Sequence, residues 1–206
     1  MMARNAIFYF FLLVSTCCFA QKAVEKSVYA KGVTLIDIDA QNVYKVSIKT
    51  HASNNVLITT VMDGEYQNEF INTIKEDGTT LYIGVENRPL FDKPNDKLSA
   101  HKVVAVALEV LVPAYKQVRI VGDYTQVYVE GKYDNLQIST GNEMVYMKNT
   151  FGNLIQARTR NGNIVVENSK GSFEAISKYG KVYKEKFKKG NTKFELNSLN
   201  GNIYIN

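Results

Sequence analysis

The amino-acid sequence predicts an all-β fold, in which an N-terminal antiparallel β unit over residues 21–113 runs into a five-rung β-solenoid over residues 114–206. The main observation is a pattern that returns five times between Val118 and Ile205, at offsets of 18, 19, 18 and 21 residues. Each copy consists of two short strands of alternating character around a Gly or Asn turn. A repeat of this length is typical of solenoids, whose units bury their apolar face only by stacking on their neighbours.

The five copies share one set of positions that we expect to face inward. In order, these are Val118, Ile120, Gly122, Val127 and Val129; Leu136, Ile138, Thr140, Val145 and Met147; Ile155, Ala157, Thr159, Ile164 and Val166; Phe173, Ala175, Ser177, Val182 and Lys184; Phe194, Leu196, Ser198, Ile203 and Ile205. Lys184 is the one charged residue among them. A buried unpaired ammonium is not credible, so we expect the strand to open to solvent there or the side chain to reach outward.

The turns inside the copies carry Gly141, Asn161-Gly162, Tyr179-Gly180 and Asn200-Gly201, where we expect left-handed backbone conformations. Turns of this composition also suit two-residue hairpins, so an antiparallel meander is the alternative arrangement. The similarity of residues at equivalent positions favours stacked parallel rungs, because stacking places these residues on top of one another. A hairpin meander has no such requirement.

The first twenty residues have the three parts of a secretory signal peptide. Arg4 precedes an apolar run over residues 6–14, and Ala20-Gln21 is the expected cleavage point. The apolar run is too short for a membrane span, which needs about 20 residues. Lipid attachment at Cys17 or Cys18 is the alternative, although neither cysteine follows the Gly, Ala or Ser that usually precedes a lipidated one.

Cleavage after Ala20 leaves 186 of the 206 residues and removes both cysteines of the chain. The exported protein would have neither disulfides nor thiol chemistry, so its stability has to come from core packing and ladder hydrogen bonds. Cleavage also removes one positive charge, which changes the net charge from +5 to +4. This mild basic balance gives weak support for a polyanionic partner.

The N-terminal half indicates strands throughout. Alternating or β-branched runs cover residues 33–39, 43–49, 55–62, 69–75, 80–85 and 102–112. Asp77-Gly78 predicts a two-residue hairpin turn, and residues 87–101, with Pro89 and Pro94, predict an exposed loop. We expect this half to cover the first rung, because an open rung exposes both core and strand edge.

Parallel stacking would place like outward positions about 4.8 Å apart on neighbouring rungs. One outward column holds Tyr128, Tyr146, Val165, Tyr183 and Tyr204. A second column holds Glu130, Lys148, Glu167, Glu185 and Asn206. Aromatic columns stabilise sheets through cross-strand pairs, and they also make a platform for sugar rings, so both roles stay open for the tyrosines.

A basic stretch surrounds the fourth copy, with seven lysines and one glutamate between Lys178 and Lys193. Arg158 and Arg160 belong to the copy before it. One interpretation is a solvated strand edge protected by charge; the other is a patch for an anionic glycan or a lipopolysaccharide phosphate. The candidate ligand surface therefore combines Tyr128, Tyr146, Tyr183 and Tyr204 with Lys178, Lys181, Lys186, Lys188 and Lys189.

The sequence indicates no catalytic residues, no cofactor-binding residues and no metal ligands. His51 and His101 are the only histidines, and the mature chain has no cysteine and no His-x-x-x-His spacing, so a zinc site has little to be built from. Asp37 and Asp39 share one strand face, an arrangement more typical of solvated acids.

A stack of Glu174 on Glu195 is the best candidate for a glycosidase-type acid and nucleophile, because neighbouring carboxylates can push their pKa values apart. Lys178 and Lys193 are close enough in sequence to neutralise both carboxylates. Stacked positions of this kind also form a flat surface rather than a cleft, so a structural role is the expectation.

The run LEVLVP at residues 108–113 leads into repeats of the Asn-Gly-Asn-Ile type. This pattern resembles the putative-adhesin domain family of unknown function, which comprises secreted proteins of Gram-negative bacteria related to auto-transporter-adhesin-like head domains. The resemblance covers about Gly32 to Asn206. It implies a right-handed β-helix-like fold, export, and an adhesive or structural role, and it supplies no catalytic residues.

We therefore expect a non-enzymatic exported protein of the periplasm, outer surface or extracellular space, which acts as an adhesin-like or scaffold module. Its expected partner is an envelope glycan or another surface protein; no nucleic acid, no cofactor and no membrane span of the mature chain are expected. Two alternatives stay open. One is a polysaccharide-binding or polysaccharide-active β-helix protein, and the other is an envelope-sensing or assembly factor.

Overall fold

A computed structural model describes residues 22–64, 70–87, 105–185 and 188–206. Within these ranges the chain consists of β-strands joined by turns, with no helix. The signal peptide, nearly all of the proline-containing loop, His101 and Lys186, all named above as expectations, lie outside the described residues.

The strands are β1 (Lys22–Tyr29), β2 (Leu35–Asp39), β3 (Lys45–His51), β4 (Asn55–Asp63), β5 (Phe70–Asp77), β6 (Thr80–Asn87), β7 (Ala105–Pro113), β8 (Gln117–Val121), β9 (Gln126–Lys132), β10 (Asn135–Thr140), β11 (Val145–Phe151), β12 (Leu154–Thr159), β13 (Ile164–Glu167), β14 (Gly171–Ser177), β15 (Val182–Lys184), β16 (Thr192–Ser198) and β17 (Ile203–Ile205).

These strands form two mixed sheets around one core. Sheet A has nine strands in the order β1-β4-β7-β3-β9-β11-β13-β17-β15, and sheet B has eight in the order β14-β16-β12-β10-β8-β2-β6-β5. Inward side chains of both sheets belong to a single hydrophobic cluster, in which Ile36, Ile138 and Phe194 are fully buried. The all-β prediction is confirmed.

Each copy of the repeat contributes its first strand to sheet B and its second strand to sheet A. Copies 1 to 5 are β8–β9, β10–β11, β12–β13, β14–β15 and β16–β17. Neighbouring copies pair in parallel and in register, so Val145 lies beside Val127 on one side and Ile164 on the other. The antiparallel meander is therefore wrong, because the two strands of a copy belong to different sheets rather than to one hairpin.

The last two copies do not follow chain order. Strand β16 pairs with β12 on one side and β14 on the other, and β17 pairs likewise with β13 and β15. Copy 5 therefore lies between copies 3 and 4, and copy 4 forms the end of both sheets. Five rungs stacked in the order of the sequence, as the repeat predicts, are not what the structure shows.

Burial explains this order. Phe194, Leu196, Ile203 and Ile205 of copy 5 are completely buried, and burying a large apolar side chain contributes about 1.5–3 kcal/mol. Copy 4 has Lys184 at the position of Ile205, and Lys184 is exposed on the terminal strand β15. Placing copy 4 at the end leaves the ammonium in water, so the expectation of an opening at this position is confirmed.

The N-terminal half shares both sheets with the repeats. Strands β2 and β6 pair in parallel within sheet B, and β2 also pairs in parallel with β8. Strands β3 and β7 do the same in sheet A, where β3 pairs with β9. Antiparallel pairing in the described part of this half involves β1, β4 and β5, at the end of the sheets away from copy 4.

The expected antiparallel unit is thus wrong for β2 and β3, which pair only in parallel, whereas β6 and β7 each have one parallel and one antiparallel neighbour. The sequence does not separate the two cases, because side chains alternate in the same way in parallel and antiparallel strands. The β5–β6 hairpin is confirmed, since Asp77 pairs with Thr80 and Gly78 has a φ of 59°. A domain boundary at residue 113 stays a prediction.

The turn glycines of the copies are needed for space rather than for a left-handed backbone. Among the described glycines, positive φ occurs at Gly64, Gly78 and Gly131. The expectation of left-handed turns at Gly141, Gly162, Gly180 and Gly201 is therefore wrong. A Cβ on Gly162 would instead lie 1.8 Å from the carbonyl oxygen of Glu143, and a Cβ on Gly201 would lie 2.0 Å from that of Gly162.

The turns also stack through their side chains. The amide of Asn161 donates to Asn142 Oδ1 and that of Asn200 donates to Asn161 Oδ1, both at 2.5 Å. Below them, Thr159 Oγ1 donates to Ser198 Oγ at 2.9 Å inside the core. These bonds fix copies 2, 3 and 5 to one another at the turn edge.

Candidate functional site

A row of tyrosines crosses the outer face of sheet A. Tyr128, Tyr146, Val165, Tyr204 and Tyr183 follow one another on neighbouring strands. The column expected from the sequence is present, but its last two members are in reverse order because copy 5 precedes copy 4. We call these five residues the tyrosine row.

The rings of the tyrosine row are held against one another. Tyr183 and Tyr204 stack with ring centroids 5.0 Å apart and planes 7° from parallel, while Tyr128 and Tyr146 are 6.0 Å apart and tilted by 52°. Rings stacked along the row cover each other's faces and present their edges and hydroxyls to solvent. In the Tyr183–Tyr204 pair each ring therefore has one face covered by the other ring.

A row of alternating charge runs beside the tyrosine row. Lys49, Glu130, Lys148 and Glu167 lie on neighbouring strands, and Lys49 Nζ is 3.1 Å from Glu130 Oε2. The hydrogen bond from Lys49, followed by one from Asn149, lowers the pKa of Glu130 below its ordinary value. Lys49 comes from the N-terminal half, so the repeats alone do not reveal this pair.

The two rows are joined at Tyr146. Its hydroxyl donates a hydrogen bond to Glu167 Oε2, and this bond raises the pKa of Tyr146 above its ordinary value. At the other end of the row, the amide of Asn202 donates to the hydroxyl of Tyr204 at 3.2 Å. These bonds hold the aromatic rings in place on the sheet.

The four described candidate lysines, Lys178, Lys181, Lys188 and Lys189, lie in two separate groups. Lys178 and Lys181 lie in the turn between β14 and β15, where their N–H groups donate to Ser198 O and Asn202 Oδ1. The carbonyl of Lys188 accepts the N–H of Gly171 at the start of β14, so Lys188 and Lys189 lie at the opposite edge. The length of the seven-residue β14 separates the two groups by about 20 Å.

The predicted stack of Glu174 on Glu195 is present on the outer face of sheet B. Lys193 lies between the two carboxylates, with Nζ 3.5 Å from Glu174 Oε2 and 2.6 Å from Glu195 Oε1. The hydrogen bond from Lys193, followed by one from Gln156, lowers the pKa of Glu195. A glycosidase acid needs the opposite shift, because it must be protonated when it meets its substrate.

The remaining residues singled out in the sequence have separate surroundings. Asp37 accepts a hydrogen bond from Arg119 at 3.0 Å, whereas Asp39 accepts one from the N–H of Gln41. His51 Nε2 is 2.7 Å from the carbonyl oxygen of Asn55 in the turn after β3. Asp37 and Asp39 therefore bind different partners and do not form a pair.

A polar groove of about 550 Å³ lies where sheet B enters the turns of copies 1 to 3. Its walls include Gln41, Asp123, Ser139, Arg158, Arg160 and Leu199. Arg158 stands on β12 beside Ser139 of β10 and Asn197 of β16. We call this feature the arginine groove.

The arginine groove carries more positive than negative charge. Arg160 Nη2 is 3.9 Å from Asp123 Oδ1, and both side chains are largely exposed, at 61% and 43%. An exposed pair at this distance contributes little. In the described part of the chain, two guanidinium groups therefore face one loosely held carboxylate.

The sequence did not reveal the arginine groove, although it pointed to both arginines. It placed Arg158 and Arg160 one copy from the lysines of copy 4, but copy 5 lies between them in the structure. The available signal was the series Asp123, Gly141, Arg160 at like positions of copies 1 to 3. Gly141 leaves the space between the two charges open, since a Cβ there would lie 1.9 Å from Asp123 Oδ1.

Within the described ranges, no three His, Cys, Asp or Glu side chains converge in a way that could hold a metal ion. Those same ranges hold no helix with the length and apolarity that crossing a membrane requires.

Neither a protein-family model nor a curated protein sequence matches the chain. Several solved structures do. The chain is similar to a putative cell adhesion protein from Clostridium sporogenes ATCC 15579, with a TM-score of 0.60 and 12% identity over 90% of this chain and 98% of that one.

Two further similar structures are putative adhesins. The one from Parabacteroides merdae ATCC 43184 has a TM-score of 0.46 and 11% identity, covering 88% of this chain and 80% of that one. The one from Bacteroides fragilis NCTC 9343 has a TM-score of 0.37 and 12% identity, covering 90% and 97%. The likeness to the Clostridium protein shows a fold that is shared over most of both chains.

Proposed function

We propose that the chain is a non-enzymatic, exported module of the cell envelope or cell surface with an adhesin-like role. The tyrosine row carries this proposal. Parallel in-register pairing sets four tyrosines on one outer face across five neighbouring strands, a length of about 19 Å at the usual strand spacing. A fixed row of this length suits an extended ligand or a partner surface better than a small molecule.

The shared fold and the sequence support this proposal. The similar Clostridium structure is that of a putative cell adhesion protein, and residues 1–20 have the pattern of a signal peptide. In this proposal the parallel strand pairs form a right-handed β-solenoid-like stack that continues from the repeats through β2–β3 and β6–β7. Such a stack holds surface side chains at regular intervals on a rigid support.

The carboxylates of sheet B support a non-enzymatic role. Lys193 contacts both Glu174 and Glu195, and its hydrogen bond favours the ionised form of Glu195. An ionised Glu195 lacks the proton that a general acid has to donate to the leaving group. A polysaccharide-active enzyme at this position is therefore disfavoured.

The test is binding of the mature chain, residues 21–206, to a panel of immobilised envelope polysaccharides and to intact cells. We expect Tyr146→Ala combined with Tyr204→Ala to abolish binding while the melting temperature shows a folded protein. Tyr44→Ala combined with Tyr82→Ala is the matched control, because both of these tyrosines are exposed but lie outside the row.

Two outcomes would overturn the proposal. Unchanged binding by the folded row variant would show that the row is not the contact face. Hydrolysis of any polysaccharide in the panel would show that the protein is an enzyme.

A further inference from the structure

We propose that the arginine groove binds a carboxylated sugar unit of an acidic polysaccharide. This inference rests on the proposed surface-binding function and gives it a ligand class. It also gives the molecule a second contact site, at the turn edge of sheet B rather than on the outer face of sheet A.

Charge is the first argument. Arg158 interacts electrostatically with Glu195, but Glu195 is already held by Lys193 at 2.6 Å and by Gln156 at 2.7 Å. Arg158 thus keeps its guanidinium available, and Arg160 has Asp123 at the long distance of 3.9 Å. A guanidinium presents a planar fork of donors that matches a carboxylate, so two of them in one groove favour a carboxylated ligand.

The other walls of the groove suit a sugar. Ser139 and Gln41 offer a hydroxyl and an amide to the hydroxyl groups of a sugar ring. Leu199, with 39% of its surface exposed, offers an apolar wall to the C–H face of the ring. A few polar groups with one apolar wall are the usual composition of a small-ligand site.

The turn that carries Arg160 is held in place by hydrogen bonds to the copies on both sides. The N–H of Arg160 donates to Gly141 O at 2.9 Å, and its carbonyl accepts the N–H of Asn200 at 2.8 Å. The next residue, Asn161, is held by Asn142 and Asn200 through its side chain. A turn bonded on both sides loses little conformational freedom on binding, which favours affinity.

The neighbours of the groove favour a glycan over an acidic peptide. Peptides commonly bind sheets by adding a strand to a free edge. The strands β10 and β12, which carry Ser139 and Arg158, are each paired on both sides. At this groove a peptide therefore has no unpaired strand backbone to bond to, whereas a sugar can bind through side chains alone.

The test measures binding of the full mature chain to oligogalacturonate by isothermal titration calorimetry. Neutral dextran oligosaccharides and poly-L-glutamate serve as the comparison ligands. Arg158→Gln combined with Arg160→Gln should weaken oligogalacturonate binding by about tenfold or more, because charge-assisted hydrogen bonds are lost. Lys31→Gln combined with Lys132→Gln removes the same charge elsewhere on the surface and should stay within about twofold.

Three results would overturn the inference. Equal losses in the two double variants would mean that general attraction, not the groove, binds the polymer. Equal or tighter binding of poly-L-glutamate would make the ligand an acidic peptide. Binding of neutral glycans alone, lost in the tyrosine variants, would overturn the arginine groove and leave the proposed surface function in place. Oligogalacturonate binding that the arginine variant loses and the lysine variant keeps supports the inference.

Discussion

The main chain of Lys184 pairs with that of Ile205, so an exposed lysine lies directly beside a completely buried isoleucine. The two residues occupy like positions of copies 4 and 5. Their different surroundings arise because β15 has a strand on one side only, whereas β17 lies between β13 and β15.

This position gives the first prediction. Lys184→Met should leave the free energy of unfolding unchanged or raise it, since the ammonium contributes no burial where it lies. Ile205→Lys is the control and should cost several kcal/mol, because it forces a charge between two strands of the core. Urea unfolding of both variants decides the matter. A marked loss of stability in Lys184→Met would contradict the end position of copy 4.

The second prediction concerns the buried column at Ile164. Ile164 lies between Val145 and Ile203 with no exposed surface. Ile164→Asp should cost several kcal/mol and prevent folding at physiological temperature, as measured by circular dichroism on heating. Val165→Asp changes the next residue on the outer face and should fold; equal melting curves for the two variants would refute the assigned register.

The close packing around the turn glycines gives the third prediction. Gly162→Ala should destabilise the protein by at least about 1–3 kcal/mol, because the new Cβ would meet the carbonyl of Glu143 at 1.8 Å. Gly32→Ala meets no atom within 4 Å and should be neutral or stabilising by about 0.4–1 kcal/mol. Denaturant midpoints compare the two. A harmless Gly162→Ala would mean that the turns of copies 2 and 3 are less tightly stacked than described.

The fourth prediction is a pH dependence at Glu130. Since Lys49 lowers its pKa in the folded chain, this carboxylate stabilises the fold above its unfolded pKa and loses that effect as pH falls through the folded value. The pair is exposed, so its contribution is at most about 1 kcal/mol. Carboxyl NMR should show the Glu130 pKa rising in Lys49→Met. An unmoved titration would show that the pair does not form in solution.

Processing gives the fifth prediction. Cleavage after Ala20 should make Gln21 the first residue of the exported protein, open or cyclised, because the apolar run over residues 6–14 is followed by small residues at this junction. N-terminal sequencing and intact mass measure this directly. A lipid on Cys17 or Cys18 would instead establish a membrane-anchored form.

The strands of the repeats could be predicted because alternation and the spacing of like residues report directly on which side chains face the core. Val127, Val145 and Ile164 recur at one position and do lie side by side. The order of copies 4 and 5 is a different kind of information, since both carry the same pattern. The order depends on which copy takes the buried position beside copy 3. In the sequence, the clear sign is that copy 4 has Lys184 where copy 5 has Ile205.

The two candidate sites also differ in whether the sequence could predict them. The tyrosine row could be predicted because its members occupy like positions of the repeat. The arginine groove could not, because Gln41 belongs to the N-terminal half and Leu199 to copy 5. Only the insertion of copy 5 brings Leu199 beside the turn that holds Arg160.

The position of copy 5 also affects the order in which the copies of the repeat can fold. A chain that leaves the ribosome or a translocation pore from its N-terminus can stack copies 2 and 3 as they emerge, since Asn153 finds Asp134 19 residues earlier. The hydrogen bond from Gln156 to Glu195 can form only after a further 39 residues have emerged. Copy 4 emerges before the strands that will separate it from copy 3. Copy 5 therefore completes this part of the stack by entering between copies 3 and 4, and copy 4 reaches its final place only when copy 5 has paired with it.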